Sequence, residues 1–214
     1  MRTHPFAVVI AAPSGAGKTS LARALVEADP QLEFSVSATT RPQRKGEYDR
    51  RDYYFVDEVE FDRMATTGEL IEWAAVHGHK YGTPRRSLEE PLERQKNVVL
   101  DIDVQGARQV RAAYPDAVLI FILPPSVGEL DRRLAGRGSE GSAERRTRLA
   151  TAREELAAAR DFDYIVVNDD FSTALATLKS ILIAERHRRE RYDQLPEQMA
   201  EMQHQLTNLL KGRE

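Results

Sequence analysis

Apolar and polar positions along the chain fall into two kinds of run. Phe6 to Ala11, Asn97 to Asp103, Val118 to Leu123 and Tyr164 to Asn168 are short and nearly unbroken in apolar character until their last residues. Runs of that length predict strands buried on both faces. Segments with helical spacing lie between them. Leu21, Leu25 and Ala28 mark one face of a helix that stops at Asp29-Pro30, because proline disfavours helix at the residue before it. A helix is expected from about Ser87 to Arg94. Ser126 with Glu129 makes a capping box for another, running to about Ala135. A long amphipathic helix runs from about Ser172. Strands alternating with helices predict an α/β fold, a parallel sheet flanked by helices.

Residues 35–88 break this rhythm. Leu32 to Ser37 alternates apolar and polar, like a half-buried strand. Residues 38–52 are polar and carry Arg41, Arg44, Lys45, Arg50 and Arg51, which reads as a basic loop or irregular edge. Tyr53 to Val56 is strand-like. Asp57 and Glu60 cap a short helix closed by Gly68, and Leu70 to Val76 is again a strand. His77-Gly78-His79 reads as an exposed turn before Tyr81-Gly82-Thr83-Pro84, and Trp73 as lobe packing. The block reads as a small mixed α/β lobe inserted into the core. Three glycines between Gly136 and Gly141 flank Arg137, with helices on both sides, and predict a mobile helical lid. Arg145, Arg146 and Arg148 follow. The expected division is a core of 1–34, 89–125 and 155–191, a lobe of 35–88, a lid of 126–154 and a helical tail of 192–214.

The first strand runs directly into Ala12-Pro13-Ser14-Gly15-Ala16-Gly17-Lys18-Thr19, and a helix follows. Strand, Gly-rich turn, Lys-Thr and helix together make a phosphate-binding loop (P-loop). Its N–H groups and the helix N-terminus would cradle an anion. Lys18 would reach the β- and γ-phosphates, and the Thr19 hydroxyl would hold Mg²⁺. The pattern ordinarily opens on glycine, and here that place is Ala12. The added Cβ is harmless if the local φ is negative and strains the loop if it is positive. Asp101 and Asp103 end an apolar strand in the Walker B manner, with Asp101 expected at the metal, directly or through water. Asp103 could equally cap a helix.

Composition removes other chemistries. The net charge of -3 excludes a global polycation, so no nucleic-acid partner is expected. The chain has no cysteine, which excludes disulfides, thiolate nucleophiles and thiolate metal sites and fits a reducing compartment. The N-terminal apolar run is too short for a membrane span and leads straight into the loop, so no membrane association is expected. Cytoplasmic is the default expectation.

A P-loop alone specifies only a nucleoside triphosphate. Arginines arriving from two sides, Arg41 and Arg44 from the lobe and Arg133, Arg137 and Arg148 from the lid region, fit phosphoryl transfer between two substrates, where negative charge builds up between them. Arg41, Arg44, Tyr53 and Tyr81 could grip an acceptor phosphate. Glu72 could accept a pair of N–H donors from a guanine edge, which adenine lacks.

These residues carry a resemblance. Over about residues 5 to 190 the chain resembles the guanylate kinases. The matching runs include Pro13 to Thr19, Phe34 to Arg41, Arg44 to Glu47, Asp52 to Val56, Ile71 to Ala74, Tyr81 to Thr83, Leu100 to Gly106, Leu134 to Gly138 and Val167 to Asp169. The resemblance implies transfer of the γ-phosphoryl of ATP to GMP, and to dGMP, with Mg²⁺. It implies guanine-side contacts from Ser37, Glu72, Thr83 and Asp103, and a GMP-phosphate grip from Arg41, Arg44, Tyr53 and Tyr81, with Glu47 in the same motif. It places Ser14, Gly15, Ala16, Gly17, Lys18 and Thr19 on the ATP phosphates and Arg133 close to them. Arg137 and Arg148 match the lid arginines, and Asn168, beside Asp169, matches a residue near the adenine. Lys18, Arg44, Arg137 and Arg148 would be catalytic. An inert protein-binding module of the same fold would be expected to lack Lys18 and the lid arginines. A P-loop kinase with another small acceptor is the remaining alternative. A P-loop GTPase is disfavoured by the absence of an Asn-Lys-x-Asp run.

In the tail, Leu195, Met199, Met202, Leu206 and Leu209 are spaced in alternating steps of four and three, a two-heptad apolar seam. Two placements stay open: packing back on the chain's own core, or pairing with a second copy in a homodimer.

Overall fold

The computed structural model describes residues 3–76, 78–135 and 142–211, with the backbone alone at 135 and 142–146. The core sheet holds β1 (Ala7–Ala11), β2 (Leu32–Phe34), β7 (Asn97–Asp101), β8 (Val118–Leu123) and β9 (Tyr164–Val167). Their order is β2-β7-β1-β8-β9, and every pairing is parallel. β1 sits at the centre, and all five of its residues are buried. Val8 and Ile10 face one layer, with Leu21 and Leu25 of α1 (Lys18–Glu27) and Leu178 and Leu182 of α7 (Phe171–Arg186). Ala7 and Val9 face the other, with Leu88 of α3 (Arg85–Glu93) and Val110 of α4 (Val104–Ala113). Helices on both faces remove any polar side from the strand. That is why its sequence does not alternate.

The inserted lobe is a second, mixed sheet. It orders as β4 (Tyr54–Phe55), β3 (Ala38–Thr39), β6 (His79–Pro84) and β5 (Leu70–Val76). β3 pairs with β4 in parallel, and β6 pairs antiparallel with both β3 and β5. α2 (Glu58–Thr66) covers it, placing Phe61 and Met64 against Ala38 and Leu70. The Asp57 side chain accepts from Glu60 N, and Gly68 follows the helix at φ 74°, both as the capping pattern requires.

Several expectations are corrected. Leu32–Ser37 is not one strand: pairing with β7 covers Leu32 to Phe34, and the chain then crosses to the lobe. The stretch 38–52 is not loop throughout, since Ala38–Thr39 forms β3 between two partners. His79 flanks the turn at Gly78 as expected, but it begins β6 and is only partly exposed. Trp73 is half exposed and touches the lobe core edge-on at Phe61, with ring centroids 6.4 Å apart. His77 and the central lid residues, Arg137 among them, lie outside the described residues.

The lobe is tied to the core by a buried acid. Asp52 accepts from Arg23 Nη2 of α1 at 2.6 Å and from the backbone N–H of Tyr48 at 2.8 Å. The Arg23 hydrogen bond is the largest of the influences that pull its carboxyl down to about 2.

The tail forms α8 (Leu195–Lys211), and no residue of it is buried. Met199, Met202, Leu206, Leu209 and Leu210 are all more than half exposed. The seam does not fold back onto its own core.

Candidate functional site

The carboxyl ends of the parallel strands point at one cleft, as open α/β sheets require. β1 delivers the loop. Gly15 and Gly17 both stand at φ 91°, a left-handed conformation that glycine adopts without strain. A Cβ on Gly17 would also collide with the Asn168 amide. Ala12 raises no such difficulty. Among the described non-glycine residues only Arg50 and Gln95 have positive φ, so its Cβ is unstrained and is buried with Val8 and Ile10. Beneath the loop, Asn168 at the end of β9 donates its Nδ2 to Ala16 O at 2.8 Å. Arg133 of α5 (Val127–Ala135) pairs with Glu129 at 2.6 Å and reaches Asn168 O at 3.3 Å. Asp169 is exposed, and its neighbour Asp170 caps α7.

Lys18 is the hub. Its Nζ donates to Ile102 O at 2.6 Å and lies 2.8 Å from Asp101 Oδ1. The Thr19 hydroxyl donates to Asp101 Oδ2 at 2.5 Å. Cation, hydroxyl and carboxylate therefore meet at the end of β7. The hard oxygens of Thr19 and Asp101 are of the type Mg²⁺ prefers, and they already share one point.

The opposite wall belongs to the lobe. The cleft between them, about 230 Å³, is lined by Lys18, Thr19 and Asp101 on one side and by Ser37, Tyr53, Glu72 and Tyr81 on the other. Asp103 closes its floor. Glu72 is 4% exposed, and Thr83 Oγ1 donates to its Oε1 at 2.7 Å. Burial pushes its carboxyl up to about 7; the Thr83 hydrogen bond and Lys18 oppose that, while Asp103 adds to it. Asp103 is also a helix cap, its Oδ1 accepting from Gly106 N at 2.7 Å. One residue therefore both lines the cleft and caps α4.

The basic residues are arranged unevenly. Arg41 is buried, its guanidinium held by both Glu47 oxygens at 2.8 and 3.0 Å and by Pro42 O at 2.7 Å. It lies 5.4 Å from the Tyr53 ring centre. Glu47 also accepts from Arg44 N at 2.8 Å, so one carboxylate shapes the whole Arg41–Arg44 turn. The Arg44 side chain is exposed. Arg148 lies on α6 (Ser142–Ala157).

Glu155 was not legible in the sequence. It lies two turns beyond Arg148 on α6, so the two share a helix face. Ser14 N donates to its Oε2 at 3.4 Å. Burial again dominates, and its carboxyl is pushed up to about 7. A helix with charges spread along it gives no sign that one of them turns inward to the loop.

A P-loop that faces a separate polar lobe across one cleft defines a class, the P-loop proteins with a second, acceptor-sized site. The comparisons narrow it. The family model described as guanylate kinase matches residues 4–185. A guanylate kinase of Bordetella pertussis is 48% identical over 180 residues, covering 84% of each chain. One from Symbiobacterium thermophilum is 46% identical over 181 residues, covering 85% of this chain and 86% of that one. The crystal structure of guanylate kinase from Anaplasma phagocytophilum superposes with a TM-score of 0.79 at 36% identity, over 92% of this chain and 95% of that one. The chain belongs to the guanylate kinase family.

Proposed function

We propose that this protein transfers the γ-phosphoryl group of ATP to GMP, and to dGMP, giving ADP and GDP. The observation that carries the reading is a single cleft with a phosphate loop on one wall and a buried, hydroxyl-braced carboxylate on the other. Loop N–H groups and Lys18 would hold the donor phosphates. Ser37, Glu72, Thr83 and Asp103 would read the guanine, and Arg41, Arg44, Tyr53 and Tyr81 the acceptor phosphate. Thr19 and Asp101 would hold Mg²⁺, which supplies charge neutralisation across the donor phosphates. Lys18, Arg44, Arg137 and Arg148 would stabilise the charge that develops in transfer. Arg133, Asn168 and Asp169 would flank the donor. Nothing in such a site needs a covalent intermediate, because positioning and charge carry the reaction. The proposed working parts are the core, lobe, lid and tail at the boundaries given above.

The test is a coupled ADP-release assay with ATP against GMP, dGMP, AMP and UMP. Signal with GMP and dGMP alone is expected. Turnover of AMP in place of GMP would overturn the acceptor assignment.

We also propose that α8 pairs with a second copy of the chain. Support comes from its exposed seam and from the residues beside it. With Leu195 and Met202 at d and Met199 and Leu206 at a, the flanking e and g positions are Pro196, Gln198, Gln203, Gln205 and Leu210. None is charged, so identical helices meet no repulsion at the flanks. No described helix is long and apolar enough to cross a membrane. Sedimentation should give twice the chain mass for the full protein and the single mass after deletion of residues 192–214. An unchanged mass would remove the pairing.

A further inference from the structure

Glu72 is fixed on one side by a hydrogen bond and on the other by a space. Oε1 is braced by Thr83. Oε2 faces Gly106, in the first turn of α4. A Cβ at position 106 would stand 2.5 Å from Oε2, 3.0 Å from Glu72 Cδ and 3.3 Å from Ile102 Cδ1. The first of these is closer than Cβ atoms pack, so something would have to shift.

The helix is poorly placed to do so. Gly106 N and Ala107 N both bond to Asp103, at 2.7 and 2.9 Å. One turn on, Gln109 clamps α4 to β5, accepting from Trp73 N at 3.2 Å and donating to Trp73 O at 2.9 Å. The contact is therefore pinned on both flanks, and Trp73 is the residue next to Glu72. What can turn is the Glu72 side chain, away from Thr83. Nor is glycine required for its backbone here, because position 106 is helical and has no positive φ. In a helix interior alanine is the better residue.

We propose that Gly106 is a specificity-determining residue. The absent side chain sets the depth of the Glu72 carboxylate, and with it the discrimination between a purine edge carrying two kinds of N–H donor and one carrying a single N–H. This rests on the reading that the cleft takes a guanine nucleotide.

The experiment compares the wild-type chain, Gly106→Ala, Glu72→Asp and the double variant. Each is assayed with ATP against GMP and against IMP, which lacks the 2-amino group, and each is melted thermally. In Gly106→Ala, kcat/KM for GMP should fall about tenfold or more and the preference for GMP over IMP should shrink with it. KM for ATP should stay within about twofold. The shorter Asp makes room, so Glu72→Asp should cost less in the Gly106→Ala background than in the wild type. An unchanged GMP-to-IMP preference in Gly106→Ala overturns the inference. So does additivity in the double variant, or recovery there of the melting temperature without the preference. A wild-type chain that does not prefer GMP to IMP overturns the acceptor reading itself, and the inference with it.

Discussion

Replacing Lys18 with alanine is expected to lower kcat/KM by two to three orders of magnitude while the fold is retained, about the loss seen when one charge-stabilising donor is removed from a preorganised site. Lys18 is the cation at the end of β7, bonded to Ile102 O at 2.6 Å and paired with Asp101 at 2.8 Å. Asp101 is the last residue of the strand beside β1 and Ile102 follows it directly, so the ammonium is aimed before any substrate arrives. That is the preorganisation the proposed reaction needs. Removing it leaves Asp101 bonded to Thr19 but takes the one ammonium aimed at the donor β- and γ-phosphates out of the site. Lys18→Met separates charge from packing, since it keeps most of the aliphatic stem. It should be as inactive as Lys18→Ala and melt within a few degrees of the wild type. Turnover near the wild-type level in Lys18→Met would show that the charge is not what the site uses.

What the sequence made legible follows from which forces act locally. β1, β7 and β8 stand out because a strand covered on both faces carries few polar residues to blur it. β9, read from its apolar run as buried on both faces, is instead an edge strand with Ile165 and Val167 about half exposed. The loop is legible because left-handed backbone at Gly15 and Gly17 demands glycine. The crossing at residues 35–37 was hidden. Alternation simply continues from Phe34 to Ala38, and nothing local says that the hydrogen-bonding partner has changed from β7 to β4 and β6. Glu155 and Gly106 were hidden for a tertiary reason. Each is ordinary on its own helix and gains meaning only from what lies opposite, Ser14 N in one case and Glu72 Oε2 in the other. The question over Ala12 was one of φ, which sequence does not carry.

KM for GMP is expected to rise about tenfold as pH falls from 8 to 6, and Glu72→Gln should abolish that step. Burial, the largest influence, pushes the Glu72 carboxyl up to about 7 in the folded chain, from an ordinary value of 4.5. The sign follows. A raised carboxyl favours the protonated folded state, so its contribution to stability is complete below 4.5 and is lost as pH rises to about 7. Acceptor binding runs the other way. Guanine N–H donors need the ionised carboxylate, so binding is strongest above 7 and weakens about tenfold for each unit below it. The acceptor's own phosphate titrates near 6, but Glu72→Gln keeps that step and loses only the carboxyl. Glu155 is raised to the same range by its own burial. It stands at Ser14 on the donor loop, so its titration should appear in KM for ATP. Glu72→Gln should also lower kcat/KM for GMP by about two orders of magnitude, because an amide cannot accept both donors with both of its atoms. A KM for GMP that keeps its full pH dependence in Glu72→Gln would place the titrating group elsewhere and remove the carboxylate from guanine recognition.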